Sequence, residues 1–224
     1  MSLTIGNIIT DKVRVLLRDT DEGGILWLDA ELIEWANEAC LEIARMRPAA
    51  SAKTLSFSLE SGALQTLPPQ AILLLEAICN QSSGVEGRAV RRVERQDLDN
   101  EQPNWRSATK TNLVMRYAAS KTDPRTFHVY PPSTGGSDAG LVLVMGVTPT
   151  VVTALTDSFP LDDIFAPTVA NYVLYRAFHK QLESQASQQR AGDFLAMFNS
   201  QMGSTDQSLE TRGAETRQPT PKQR

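Results

Sequence analysis

Two adjacent carboxylates, Asp162 and Asp163, stand before a hydrophobic run in the segment "FPLDDIFAPTVANYVLYRAF". A carboxylate pair can supply an acid and a base, or part of a metal site, when other reactive side chains converge on it. Asp is also a preferred residue at helix starts, where its carboxylate accepts backbone N–H groups. Pro167 is tolerated only near a helix start. This spacing favours the capping role and predicts that a helix begins between Asp162 and Pro167.

The partners that a catalytic carboxylate would need are missing from the sequence. It contains no nucleophile elbow, no HExxH motif and no glycine-rich phosphate loop. The two cysteines, Cys40 and Cys79, and the two histidines are too scattered for a zinc site or a redox motif. We therefore predict no catalytic residue, no cofactor and no metal, and we expect both cysteines to be buried. A small hydrolase that uses Asp162, Asp163 and His128 stays open as the enzyme alternative.

Four arginines share the one basic cluster, "GRAVRRVERQ": Arg88, Arg91, Arg92 and Arg95. Such a cluster could contact nucleic-acid phosphates, but the chain has a net charge of -4, which disfavours tight DNA binding. If the segment is a strand, Ala89 and Val93 face inward while the arginines face solvent or nearby acids. We favour a solvated or subunit-contacting face, and keep nucleic-acid binding as an alternative.

The composition is that of a globular protein that forms one large domain or two small ones. The chain has 224 residues, of which 41% are hydrophobic and 21% are charged. No apolar run approaches the roughly 18 residues of a membrane-spanning helix. The N-terminal segment "MSLTIGNIITDKVRVLL" lacks the basic start of a signal peptide. We therefore expect a protein that is made and used in a cytoplasm, without membrane contact.

Both ends of the chain have the apolar spacing of helices. One stripe defines a first helix, which Gly23 and Gly24 interrupt: Ile5, Ile8, Ile9, Val13 and Leu16. A second helix opens at Asp29, stops before Pro48, and has its own stripe: Leu32, Trp35, Ala36, Ala39 and Ile43. In the last third, one helix runs from Pro167 to about Ser184. Another carries Phe194 and Phe198 and is closed by Gly203.

The middle of the chain changes to a period of two, which is typical of strands. Leu55, Phe57 and Leu59 mark one buried strand face, and "ALQTLPP" is a return strand. The segment "AILLLEAICNQ" is either a buried strand or a helical turn, Gly84 and Gly87 mark a loop, and a short helix lies near Glu94–Asp99. In "TFHVYPP", Phe127 and Val129 face one side while His128 and Tyr130 face the other. Five or six strands are predicted to form one antiparallel or mixed sheet domain.

The predicted fold class is α+β, with a helical bundle from the N- and C-terminal helices and an inserted β-sheet domain. We assign residues 1–50 and 160–203 to the bundle and 51–159 to the β-rich domain. Residues 204–224 contain one leucine and no aromatic residue, so we predict a flexible C-terminal extension.

The helix after Pro167 is apolar around most of its circumference, so it is either central to a bundle or packed against neighbouring subunits. Tyr172, Tyr175 and Arg176 are residue types that interfaces favour, although core packing explains the tyrosines nearly as well. A cofactor pocket lined by this helix is a more specific alternative, but it is less favoured.

Three segments in this order resemble the adaptor, or head–tail connector, proteins of tailed bacteriophages, including the short-tailed type. They are "WLDAELIEWANEA", "FHVYPP" and "PLDDIFAPTVANYVLYRAF", and the resemblance covers about residues 3–203. It implies a structural virion protein that forms a ring, commonly of twelve copies, beneath the portal in the neck. The ring would dock a downstream tail or nozzle protein, and DNA would be only passing cargo. The large share of strands departs from the more helical adaptors and leaves the connector subtype open.

The resemblance also implies a C-terminal extension that grips the portal or a neighbouring subunit. We therefore add four cationic residues of the extension to Tyr172, Tyr175 and Arg176 as candidate subunit or portal contacts: Arg212, Arg217, Lys222 and Arg224. The protein would reside in the host cytoplasm during assembly and in the virion afterwards. A nucleic-acid-binding virion protein is the second alternative, beside the hydrolase.

Overall fold

The computed structural model describes residues 3–20, 26–181 and 185–215, with side chains as far as Gly203. These residues form two compact units. The helical unit contains the described residues up to Met46 and from Thr150 onward, and the strand unit is Arg47–Pro149. Helices and two sheets are both present, so the predicted α+β class is confirmed.

The first helical stretch is α1 (Ile5–Ile8), a π-helical segment (Ile9–Arg14) and α2 (Val15–Leu17). Thr4 and Asn7 cap it reciprocally: the Thr4 Oγ1 atom accepts from the Asn7 N–H at 3.3 Å, and the Asn7 Oδ1 atom accepts from the Thr4 N–H at 3.1 Å. The predicted stripe is buried as far as Val13, but Leu16 is 58% exposed. The prediction for Leu16 was wrong because the wider π turns rotate the following residues around the axis.

The second helix, α3 (Asp29–Met46), begins at Asp29 as predicted, and all five residues of its predicted stripe are buried. It ends before Pro48, which opens a 3-10 turn at Pro48–Ser51. Cys40, on the same helix, is buried without a disulfide, as is Cys79 in the strand unit, so the prediction for both cysteines is confirmed.

Backbone contacts join the two ends of the chain within the helical unit. The Phe159 N–H donates to the Leu3 carbonyl, and the Gly6 N–H to the Leu155 carbonyl, both at 2.8 Å. The close approach at Gly6 requires glycine, because a Cβ atom there would lie 2.7 Å from the Leu155 oxygen.

The strand unit has eight strands in two four-stranded sheets. In chain order they are β1 (Ala52–Ser58), β2 (Gly62–Thr66), β3 (Ala71–Ser82), β4 (Val85–Ala89), β5 (Arg91–Arg92), β6 (Arg116–Ala119), β7 (Thr126–Ser133) and β8 (Gly140–Val147). The sheet orders are β1-β8-β3-β4 and β2-β7-β6-β5, and only β5 and β6 pair in parallel. The predicted sheet domain is present, but it has eight strands in two sheets rather than five or six strands. β2 pairs with β7, so "ALQTLPP" does not return along the preceding strand.

One apolar cluster draws on both sheets, because an amphipathic sheet must bury its apolar face against another layer. Phe127 and Val129 on β7 enter this cluster with Leu141 and Leu143 on β8, while His128 and Tyr130 face away, as predicted. β1 is an edge strand, and Leu55 is 37% exposed, so the predicted buried face is only partly formed. A second cluster joins Leu98, Trp105 and Ala118 on the other side of β6.

β3 is a strand, which resolves the ambiguity of "AILLLEAICNQ". It forms a hairpin with β4 through Ser83 and Gly84, whose φ angles of 49° and 81° suit a two-residue hairpin turn. Gly87, predicted in a loop, lies inside β4. The predicted short helix is present as α4 (Arg95–Glu101), followed by a 3-10 turn at Trp105–Ser107.

Two helices complete the helical unit, α5 (Ala166–Lys180) and α6 (Gln185–Glu215). The predicted stop at Gly203 was wrong, because this glycine lacks the positive φ of a helix-ending glycine and α6 continues to Glu215. The predicted flexible extension thus begins inside α6, and residues 216–224 lie outside the described part of the chain. None of the described helices has the length and apolar content needed to span a bilayer.

Candidate interaction surface

The start of α5 is organised by Asp162. Its Oδ1 atom accepts the Ile164 N–H at 3.1 Å, which opens a 3-10 turn at Asp163–Phe165. The Phe165 N–H then donates to the Asp162 carbonyl at 2.9 Å, and Pro167 lies in the first turn of α5. The capping prediction is confirmed, because the carboxylate is used as a hydrogen-bond acceptor at a helix entrance.

α5 is a central helix of its own unit. Val169, Val173, Leu174 and Ala177 are fully buried, and Phe178 is nearly so. These residues cover more than one side of the helix, so little of its circumference is left to other subunits. Of the two alternatives that the sequence left open, packing within the chain accounts for the apolar residues.

Charged pairs connect α5 to α3. Arg176 lies 3.3 Å from the Glu38 carboxylate, and Lys180 pairs with Glu31. The Lys180 Nζ atom also lies 5.5 Å from the ring centre of Trp27, within cation–π range. Arg176, predicted as a subunit contact, is therefore first a partner of α3, with about a third of its side chain still exposed.

Aromatic side chains connect α5 to α6, and they show that the two helices run antiparallel. Phe178 stacks on Phe194 with ring centres 5.7 Å apart, and the Tyr172 ring meets the Phe198 ring edge-on at 5.3 Å. Burial is the main cause that raises the pKa of Tyr172 above its usual range, and the negative charge of Glu38 adds to it.

The predicted contacts Tyr172, Tyr175 and Arg176 therefore occupy neighbouring positions on α5. The Tyr175 ring centre is 5.8 Å from that of Tyr172, and both tyrosines are half-buried. Their intrachain contacts account for the buried parts of the side chains. That their exposed parts meet another subunit stays a prediction.

α6 is about twice as long as α5, at about 46 Å against about 22 Å. Asn171 donates to Gln201 at 3.1 Å, which places these residues side by side. From that point α6 continues to Glu215, whereas α5 extends back only to Ala166, so the end of α6 projects beyond α5. Arg212 belongs to this projecting part, although its side chain is not described. Arg217, Lys222 and Arg224 lie outside the described residues.

A groove of about 550 Å³ with mixed polar and apolar walls lies in the helical unit between α2 and the α5–α6 pair. Leu16, Phe194 and Met197 contribute to its walls, and Arg18 and Arg190 also line it. Leu16 and Met197 are more than half exposed. The sequence did not predict this groove, because its apolar spacing assigned Leu16 to the core. No residue pattern indicated the π-helical segment that leaves Leu16 exposed.

The predicted basic cluster runs along one edge of the strand unit. Arg88 is on β4, Arg91 and Arg92 form β5, and Arg95 begins α4, with all four exposed. The inward positions differ in part from the prediction. Val90 is buried and Val93 is partly buried, but Ala89 is exposed, because the chain changes sheets at Val90 and the alternation of β4 is broken there.

The model of the SU10 adaptor protein family matches residues 3–221, and so covers both units. The chain belongs to the SU10 adaptor protein family. This is a phage head–tail adaptor family, so the resemblance read from the sequence is confirmed. A comparison with curated proteins finds no match.

The residues of the hydrolase alternative are divided between the two units of this phage adaptor. Asp162 and Asp163 belong to the helical unit and His128 to the strand unit. Burial lowers the pKa of His128, as do Arg106 and Arg95, and its ring packs edge-on against Trp105 at 5.5 Å. Its environment therefore favours a neutral packed side chain.

The remaining reactive groups also have structural surroundings. Burial raises the pKa of Cys40 to about 12, which keeps the thiol protonated and unreactive at neutral pH. No group of three or more His, Cys, Asp and Glu side chains suited to a metal ion occurs within the described ranges. The described reactive groups thus take part in packing and in contacts within the chain.

Proposed function

We propose that this adaptor forms a ring beneath the portal, in the neck of the virion, and presents the surface on which the next tail component docks. The observation that carries the proposal is the family match over residues 3–221, which spans both units. The role is structural rather than enzymatic. The copy number of twelve and the passage of DNA through the ring follow from the adaptor resemblance.

The surface of the helical unit supports a role in assembly. Eight large apolar side chains of its described residues are each more than half exposed: Val15, Leu16, Leu26, Leu28, Leu41, Val151, Ile164 and Met197. Single exposed apolar residues are ordinary on soluble proteins, but Leu16 and Met197 line one groove. Covering such a groove on assembly would release ordered water and stabilise the ring.

We assign two further contacts to the assembled state. The exposed parts of Tyr172, Tyr175 and Arg176 contribute to lateral packing between neighbouring subunits. The segment from Ser204 to Arg224 binds the portal or an adjacent subunit, and its cationic residues Arg212, Arg217, Lys222 and Arg224 supply charge complementarity there. A polar segment that orders on binding suits a subunit that exists first as a monomer and assembles later.

Electron microscopy of the purified protein mixed with portal rings tests the proposal. A ring of this protein on one face of the portal is the expected result. If the protein leaves the portal unoccupied, and is also absent from the necks of purified virions, the proposed function is wrong.

A further inference from the structure

Three arginines define a basic edge of the strand unit, namely Arg88, Arg91 and Arg92. β4 is the edge strand of one sheet and β5 is the edge strand of the other, so the basic edge spans both sheets where the chain crosses between them. All three side chains are exposed.

The backbone beneath the basic edge is held in place by buried groups. Asn80 is 5% exposed, and its Nδ2 atom donates to the carbonyls of Arg88 and Val114, both at 2.8 Å. The Arg91 N–H donates to the Met115 carbonyl at 3.1 Å. Because this backbone is already ordered, binding there would not require the loss of much loop entropy.

Arg92 interacts electrostatically with Glu94, which already pairs with Lys121, but none of the three arginines of the basic edge forms a salt bridge with a described acidic side chain. Four other cationic side chains of this unit do form one: Arg95 and Arg106 with Asp99, Arg116 with Glu101, and Lys121 with Glu94. Three like charges within five residues repel one another in the free subunit. An acidic partner surface would relieve that repulsion and give the contact its specificity.

The other unit of the same chain has the opposite charge balance. The strand unit has 11 Lys and Arg residues against 9 Asp and Glu, whereas the remaining chain, which includes the helical unit, has 11 against 17. Glu34, Asp163 and Asp193 of the helical unit are exposed, and no cationic side chain of the described part of the chain pairs with them. They are available to an external cation.

We propose that the basic edge of one subunit binds the acidic helical unit of the next subunit in the ring, an inference that rests on the proposed function. Neighbours in a ring meet through two different patches of the same chain, so a ring-forming subunit needs complementary surfaces. The basic edge and the acidic helical unit meet this requirement. A DNA contact is less favoured, because the chain is acidic overall and a ring that lets DNA pass should not hold it tightly.

Site-specific photo-crosslinking identifies the occupant directly. A photoreactive amino acid replaces Arg91 in the full chain, and the protein is assembled with DNA-filled, portal-containing heads from an equal mixture of isotopically labelled and unlabelled subunits. Crosslinks between a labelled and an unlabelled copy, at peptides before residue 47 or after residue 149, are expected. Crosslinks to DNA, to the portal or to a tail protein would overturn the proposal, as would assembled rings without any crosslink.

Charge reversal with a matched control supplies a second test. Reversal of Arg91 and Arg92 to Glu should weaken ring assembly about tenfold or more, because an attractive contact becomes repulsive in every interface. Reversal of the exposed Lys53 and Lys110 to Glu changes the net charge equally and should have little effect. Equal losses in both double variants would mean that overall charge, not the basic edge, controls assembly. If the unaltered protein forms no ring, the proposed function fails first, and this inference fails with it.

Discussion

Replacement of Asp162 separates the capping role of its carboxylate from any chemical role. The Oδ1 atom accepts one backbone N–H, that of Ile164 at 3.1 Å, at the entrance to α5. Loss of such a cap typically costs about 1 kcal/mol of unfolding free energy. The Asp162→Ala variant should therefore lower the thermal midpoint of the helical unit by about 4 °C.

Two control variants separate the loss of the cap from the loss of a negative charge. Asn caps helices about as well as Asp, so Asp162→Asn should stay within about 0.3 kcal/mol of the unaltered protein. The Asp163 side chain caps nothing in the described structure, so Asp163→Asn should change stability by about 0.5 kcal/mol or less. Thermal and denaturant unfolding, followed by far-UV circular dichroism, measures all three variants.

The refuting result is a pattern in which charge matters more than hydrogen bonding. If Asp162→Asn destabilises the protein as much as Asp162→Ala, the cap is not the reason for the carboxylate. If both Asn variants fold normally but fail to assemble on portal rings, the acids belong to a contact surface. For Asp163 that outcome would favour the proposed contact with the basic edge of a neighbouring subunit.

Three other predictions follow from burial, pKa direction and chain extent. Leu174→Ala in α5 should cost about 2–5 kcal/mol in denaturant unfolding, whereas Leu16→Ala should leave stability nearly unchanged and instead weaken ring assembly. Folding lowers the pKa of His128, so below about pH 6.5 the unfolded chain binds more protons than the folded chain. The free energy of unfolding should therefore decrease as the pH is lowered through that range. His128→Gln should flatten that dependence in pH-resolved melting curves. Deletion of residues 216–224 should weaken binding to portal rings in a pull-down while α6 stays helical, and deletion of 204–224 should weaken it further; unchanged binding in both would contradict the assigned contact.

The starts of α3 and α5 were predictable because they depend on local chemistry. Asp162 and Pro167 mark the start of α5 through a capping carboxylate and a proline that needs no N–H partner, and both signals act within a few residues. The start of α3 at Asp29 and its buried face, which includes Trp35, were also predictable from nearby residues, since a period of 3.6 residues identifies the buried face of a helix.

The errors arose where long-range pairing or an uncommon backbone state decides the outcome. The number of sheets depends on which strands meet, and nothing in "ALQTLPP" shows that it pairs with β7 rather than β1. The prediction for Leu16 failed because the preceding segment is π-helical. The predicted helix end at Gly203 failed because α6 continues through this glycine, which costs about 1 kcal/mol relative to alanine.

The candidate contacts were predictable only in part. The arginine cluster was visible in the composition. Only the fold shows that Arg95 pairs with Asp99 while Arg88, Arg91 and Arg92 form no salt bridge within the described structure. Tyr172 and Tyr175 were recognised as interface residue types, while their packing within the chain depends on where α6 lies.

Electron microscopy of purified virions tests the central claim most directly. We predict ring-shaped density between the portal and the next tail component, into which the helical and strand units of this adaptor fit in repeated copies. Antibody labelling of the virion should place the protein at the same neck position. A neck whose density is accounted for by other proteins, with this chain absent or attached elsewhere on the particle, would contradict the account.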